Sequence, residues 1–328
     1  MDERLTALCR WAENRLGSGY EIAPASADAS FRRYFRARRD DRTFIVMDAP
    51  PDKEDMHPYV RIAIRFRELG LHVPEVFEID HEHGFFLLSD LGTRLYLPEL
   101  CNETVERLYG DALGALAVLQ TATVTEPGFL PEYSERILNF EMSLFRDWYL
   151  GRHLGLAPSD ARNAVLDQTF ALLTDSARTQ PQVWVHRDYH SRNLLVAREN
   201  NPGIVDFQDA LLGPVTYDLV SLLRDCYVAW PRARVEEWAL GFFELARQSG
   251  VPVGEDEIAF LRWFDLMGVQ RHLKATGIFA RLNHRDGKPG YLPDIPRTLG
   301  YVLEVGARYP ELEELHALLL ELKLPGAA

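Results

Sequence analysis

Residues His186-Arg187-Asp188-Tyr189-His190-Ser191-Arg192-Asn193, HRDYHSRN, lie between two apolar runs, VWV before and LLV after. A solvated hairpin turn accommodates such polar residues, so what lies downstream decides their meaning. Thirteen positions after Asn193 comes Asp206, in GIVDFQD, again behind apolar residues and followed by Phe207. Two carboxylates and an amide thus stand at the ends of short strand-like runs. A lone Asp in a turn carries little information, whereas Asp188, Asn193 and Asp206 at this spacing point to a site.

Phosphoryl transfer needs such a set. A carboxylate accepts or orients the proton of the attacking hydroxyl. Carboxylate and amide oxygens suit magnesium. The transition state depends on positioning and charge neutralisation more than on covalent chemistry. The H-R-D-x4-N run followed by D-F resembles the catalytic loop and metal-binding segment of protein kinases. Gly213-Pro214-Val215-Thr216-Tyr217-Asp218-Leu219 resembles the G-P-x-x-Y-D-L run of the aminoglycoside phosphotransferase and choline kinase superfamily, which shares that fold. Within it, DASFRRYFR (28–36), IVMDAPPDKED (45–55), GLHVPEVF (70–77) and VQRHLKATGIFARL (269–282) resemble the bacterial N-acetylmuramate/N-acetylglucosamine anomeric kinases of cell-wall recycling.

The resemblance implies an α+β, bilobal protein-kinase-like fold. A small N-terminal β-sheet lobe with one main helix (1–93) would bind nucleotide. A larger, mainly helical C-terminal lobe (94–328) would carry catalysis and the acceptor. It implies ATP and magnesium in the cleft, Asp188 as catalytic base or hydroxyl-orienting acid, and Asn193 and Asp206 as metal ligands. His186 and Asp218 would brace the loop. Leu88, Ser89, Asp90 and Leu91 would form the hinge, with backbone groups facing adenine.

The sequence departs from that pattern in two places. Met47 stands about where such kinases carry a strand lysine, and no G-x-G-x-x-G loop precedes it. Ser30, backbone amides of the 28–31 turn and a cation from Arg32, Arg33 or Lys53 are the candidates to hold the phosphates. Strand side chains alternate faces, so Arg32 and Arg33 cannot both do so. On the acceptor side, His190 and Arg192 lie in the loop and Asp209 lies just beyond Asp206. Arg271, His272 and Lys274 form a basic cluster. This is either a solvated helix face or an anion pocket for a sugar acid such as N-acetylmuramate, with Arg271 as its candidate.

The remaining composition bounds the alternatives. The net charge of −13 gives no general attraction to nucleic acid or anionic lipid. Cys9, Cys101 and Cys226 are far apart, without C-x-x-C, which fits reduced thiols in a cytoplasm. No run of about 18 apolar residues predicts a membrane span, and no Walker motif occurs. His81-Glu82-His83 before Gly84 predicts a hairpin turn rather than a metal site. Thr216 follows Phe207 by nine positions, too few for a long activation loop, which disfavours a protein kinase. Two other readings stand beside the amino-sugar kinase. One is a kinase for an aminoglycoside, choline-like or other amino alcohol. The other is a catalytically inactive, kinase-shaped binding protein.

Periodicity predicts strands at 31–38, 42–49, 74–80 and 84–92, with a strand-rich stretch over 182–208. It predicts helices over 2–16, 54–69, 103–121, 134–151, 159–178, 215–229, 232–249, 255–282 and 311–323, and a loop over the Gly- and Pro-rich 283–297.

Overall fold

The computed structural model describes residues 2–27, 31–126, 128–157 and 159–322. The chain divides into two compact units, Met1–Asp111 with Asn193–Asp209, and Ala112–Arg192 with Ala210–Ala328. The sequence-based cut between residues 93 and 94 falls within the first of them. Among the described residues, no helix is long and apolar enough to cross a membrane.

The first unit opens with α1 (Glu3–Leu16), capped by the Asp2 carboxylate, which accepts the Leu5 N–H at 3.1 Å. There follow β1 (Glu21–Ala27), β2 (Arg33–Arg39), β3 (Arg42–Asp48), α2 (His57–Glu68), β4 (Val76–Asp80) and β5 (Phe85–Ser89). The strands form one antiparallel sheet in the order β1-β2-β3-β5-β4. Leu8, Trp11 and Ala12 of α1 pack on Phe35, Val46, Phe85 and Leu87. Phe86, pointing to the opposite face, meets Tyr59 of α2 with ring centroids 6.4 Å apart. The buried stripe of α2 is Tyr59, Ile62, Ala63 and Phe66, at helical i, i+3, i+4, i+7 spacing. Ile64, apolar but off this stripe, is exposed. α3 (Tyr96–Glu99) follows, and then α4 (Val105–Thr125), which begins in the first unit and ends in the second.

The second unit continues with α5 (Glu135–Leu144), which runs directly into a π-helical stretch, Phe145–His153, where one α-helix was expected. α6 (Asp160–Thr179) is capped by Ser159, whose Oγ accepts the Arg162 N–H at 3.4 Å, and leads into β6 (Gln182–Val185). The chain then returns to the first unit as β7 (Leu194–Leu195) and β8 (Gly203–Ile204). β9 (Leu211–Pro214) pairs antiparallel with β6. α7 (Tyr217–Leu223), α8 (Arg232–Gln248), α9 (Glu257–Asp286), α10 (Ile295–Gly306) and α11 (Glu313–Glu321) complete it.

Two sequence-based expectations change. The helix expected over 215–229 stops at Leu223, because Arg224 leaves helical geometry at φ −118, ψ 46. The loop expected over 283–297 is instead the end of α9, a 3-10 helix over Pro289–Asp294 and the start of α10. Here Gly287, in the left-handed region at φ 65, ends α9 later than the Gly- and Pro-rich composition suggested. α9, 30 residues long, is the spine of this unit. Its Leu266, Val269 and Leu273 share a core with Phe145, Phe170 and Leu299.

Candidate functional site

In the first unit, β7 and β8 form a two-residue ladder, Leu194 with Ile204 and Leu195 with Gly203. Asn193 stands just before β7 and Asp206 two residues after β8, so the hairpin brings them to the same end. The Val205 N–H donates to the Asn193 carbonyl at 3.1 Å, and Asn193 Nδ2 lies 3.3 Å from Asp206 Oδ2. Phe207 anchors this end. It is fully buried, with its ring 5.0 Å from Tyr59 and 5.8 Å from Phe66. Asp206 itself has φ 67, a left-handed conformation unusual for a residue with a side chain. Gln208 Nε2 donates to Asp206 Oδ1 at 2.8 Å.

The two adjacent arginines part company. Arg32 is buried and reaches Asp206 Oδ1 at 3.4 Å through Nη2. Arg33 points the other way and holds Asp48, with Nε at 2.9 Å and Nη2 at 2.5 Å, and also pairs with Asp2. Lys53 is exposed, 3.3 Å from Asp52. Ser30 lies outside the described residues. Met47 is fully buried, opposite Tyr34 and Phe86 in the sheet register. Of the hinge candidates, Leu88 is buried, and Ser89 Oγ accepts the Glu75 N–H at 2.8 Å. Asp90 accepts from Arg36 at 2.6 and 3.0 Å, and Leu91 Cβ would lie 3.4 Å from a Cβ added at Gly203. Asp209 is exposed and accepts from Gln208 at 3.2 Å.

An amide and a carboxylate converging in this way are the hard oxygen donors that suit magnesium. That ion usually takes one or two protein ligands and fills the rest of its shell with water and phosphate oxygens. The residues therefore fit such an ion. Among the described residues, no group of three or more His, Cys, Asp or Glu could hold a metal by itself.

In the second unit, the loop after β6 carries His186 to Arg192. Asp218, in the first turn of α7, accepts the N–H of His186 at 2.6 Å and of Arg187 at 2.9 Å. The Asp188 N–H donates to His186 Nδ1 at 3.2 Å. Arg187 has φ 78, and its side chain pairs with buried Glu141. Burial pushes the Asp188 carboxyl upward, but the charges of Lys274, Arg271 and Arg187 outweigh it, and its pKa falls to about 2. Burial without enough compensation raises Asp218 to about 6.

His190 packs edge-on against Tyr227 at 5.3 Å, and burial lowers its pKa to about 4, so it is neutral near pH 7. Arg192 lies over the Tyr227 ring at 3.7 Å and 3.9 Å from Asp294. The presumed basic cluster on α9 separates into three unlike groups, all buried, so the solvated-face reading is overturned. Lys274 contacts Glu141 at 3.0 Å and donates to Tyr217 Oη at 2.9 Å. The His272 ring meets the Arg224 carbonyl at 2.8 Å, and burial lowers its pKa to about 3, so it adds no charge to an anion pocket. Arg271 contacts only Cys226 Sγ, at 3.8 Å, among the described residues.

Sequence reasoning missed Glu141 and Asp225. Glu141 gathers Arg187, Lys274 and Tyr133 around one buried carboxylate. Asp225 Oδ2 receives the Ser191 N–H at 2.9 Å and Oγ–H at 2.5 Å, and Oδ1 receives the Tyr227 N–H at 3.0 Å. The helix expected through 229 hid Asp225. Glu141 reads from sequence as one more acid on an amphipathic helix.

Comparison with known proteins gives consistent results. The family model described as the phosphotransferase enzyme family matches residues 21–261. The N-acetylmuramate/N-acetylglucosamine kinase of Pseudomonas putida is 47% identical over 326 residues, covering 98% of this chain and 94% of the relative. Its namesake from Pseudomonas aeruginosa is 49% identical over 302 residues, covering 92% and 88%. Among solved structures, the choline kinase of Streptococcus pneumoniae superposes with a TM-score of 0.59 at 12% identity, covering 92% of this chain and 100% of that one. An ADP-bound aminoglycoside phosphotransferase, APH(2'')-Ib, gives 0.59 at 13%, covering 90% and 97%. These likenesses show a bilobal, kinase-like α+β fold.

Proposed function

Because the chain belongs to the phosphotransferase enzyme family, we propose that it transfers the γ-phosphoryl group of ATP to the anomeric hydroxyl of N-acetylmuramate or N-acetylglucosamine. The products are ADP and the sugar 1-phosphate. The observation that carries the reaction type is Asp188, an ionised carboxylate on a loop whose backbone Asp218 fixes. The choice of acceptor is supported by the near full-length likeness to kinases named for those two sugars. We place the activity in the cytoplasm, where ATP is available.

In this reading the Asp188 carboxylate accepts a hydrogen bond from the acceptor hydroxyl and aims its oxygen at the γ-phosphorus. With a pKa of about 2 it is a weak base. Its work is orientation, with the proton leaving late, as a loose phosphoryl-transfer transition state permits. Asn193 and Asp206 would hold magnesium, which when bound supplies charge neutralisation on the phosphates. Arg32, beside Asp206, stands in for the cation that Met47 cannot provide. Ser30 and the backbone of the 88–91 segment remain the proposed contacts to phosphate and adenine.

The test is a panel of N-acetylmuramate, N-acetylglucosamine, an aminoglycoside and choline, read by ADP release and by phosphorus NMR of the product. We expect anomeric phosphate from the two sugars. Phosphorylation of choline or the aminoglycoside alone, or nucleotide binding without turnover, refutes the reading. Asp188→Asn should lower kcat by about 10²–10⁴ while the protein still binds ATP.

A further inference from the structure

Arg271 is 5% exposed, yet no carboxylate among the described residues lies within ion-pair distance of it. Its Nε is buried without a hydrogen-bond partner, and its Nη1 meets only the Cys226 sulfur at 3.8 Å. A guanidinium carries five N–H donors and no acceptor. Leaving it buried with so little to bind is unfavourable unless something else fills the gap.

Other cations of this unit that lie near the loop or in its interior are already engaged. Arg187 and Lys274 share Glu141. Arg192 and Arg297 share Asp294, at 3.9 and 3.1 Å. Arg224 holds Glu304 at 2.8 Å, and Arg232 holds Asp265 at 2.6 Å. Arg271 alone in this group keeps its donors, and it is close enough to the Asp188 carboxylate to stabilise its charge. Asp225, Cys226, Tyr217, His190 and His272 are other titratable groups around it.

The acceptor hydroxyl is assigned to Asp188, so Arg271 is placed for another part of the same sugar. N-acetylmuramate differs from N-acetylglucosamine by a lactyl ether on carbon 3, two ring positions from the anomeric carbon, and that ether ends in a carboxylate. We infer that Arg271 is a specificity-determining residue that receives this carboxylate. The inference rests on the proposed sugar-kinase activity. A planar guanidinium matches a carboxylate with two parallel hydrogen bonds. With N-acetylglucosamine the same donors meet water, so that sugar is accepted without the extra interaction.

The unaltered protein is assayed first, comparing kcat/KM for N-acetylmuramate, its methyl ester and N-acetylglucosamine. The free acid should exceed the ester by about 30-fold or more, the lower end of what losing one member of a buried charge pair produces. In Arg271→Gln both sugars slow, because Arg271 also supports the Asp188 charge, but the ratio of acid to N-acetylglucosamine should fall by about the same 30-fold. Arg271→Lys keeps the charge without the fork and should retain part of that ratio. Equal rates for acid and ester, or a ratio unchanged in both variants, overturn the inference and leave the kinase reading intact. Turnover of none of the three by the unaltered protein overturns the kinase reading and the inference together. Should Arg271→Gln fail to fold, the ester comparison and Arg271→Lys decide.

Discussion

Arg32 and Arg33 are neighbours in sequence that meet different anions, and the difference can be measured. Arg32 faces Asp206, so Arg32→Gln should raise KM for ATP by about tenfold or more, the effect of losing one charged contact to phosphate, with little change in Tm. Arg33 holds Asp48, a fully buried carboxylate that Arg4 also contacts at 2.6 Å. Arg33→Gln should therefore lower Tm by several degrees, from a loss of about 1–2 kcal/mol, and leave KM for ATP alone. The opposite pattern would exchange their roles. A second residue-scale prediction concerns acid. Asp218 has its pKa raised by burial to about 6, above its unfolded value of 3.8. Its linkage term therefore favours the folded state most at pH below 3.8 and is lost as pH rises through 6. Activity runs the opposite way, since only the ionised carboxylate keeps all its acceptor sites for the loop N–H groups. We expect kcat/KM to fall on acidification with an apparent pKa near 6, and Asp218→Asn to flatten that limb at a lower rate. A limb near 6 persisting in Asp218→Asn would assign the titration elsewhere.

At the scale of elements, α9 and the end of α5 approach closely at Gly277. A Cβ added at Gly277 would lie 2.3 Å from the Leu144 carbonyl carbon and 2.5 Å from the Phe145 nitrogen. Gly277→Ala should therefore separate two backbones rather than displace a side chain, costing about 3 kcal/mol or more, seen as a large drop in the unfolding midpoint. Much of the element plan was legible. β2, β3 and α2 follow alternation and helical spacing, and the HRD and DFQ segments stand where the sequence put them. β1 was not legible, because it is an edge strand with Pro24 inside it and a bulge between Pro24 and Ser26. α10 was hidden behind the glycines and prolines that precede it, though Pro296 sits in its first turn, where proline is tolerated. The candidate site was legible where a local hairpin brings its residues together, at Asn193 and Asp206. It was not legible where tertiary packing assigns the partner: nothing in sequence separates Lys274, paired with Glu141, from Arg271, left with Cys226.

On the scale of the whole molecule, the first unit is not one continuous stretch of chain. It contains Met1–Asp111 and also Asn193–Asp209, which supplies the β7–β8 hairpin and Phe207. The Met1–Asp111 stretch is tied to that insert by the Ile204 N–H on the His72 carbonyl at 2.8 Å and by the aromatic stack on α2. A polypeptide ending at residue 111 should therefore fail to unfold cooperatively by itself, and a peptide spanning 193–209 added in trans should sharpen its transition. A sharp transition without the peptide would show that the sheet stands alone. The discontinuity also sets an order of events on the ribosome. The strands emerge first and must wait for the Asp206 segment, made about 5–20 s later at ordinary elongation rates. During that interval the aromatic rings of α2 have no Phe207 against them, so the nascent chain is then most open to capture by a chaperone or to aggregation.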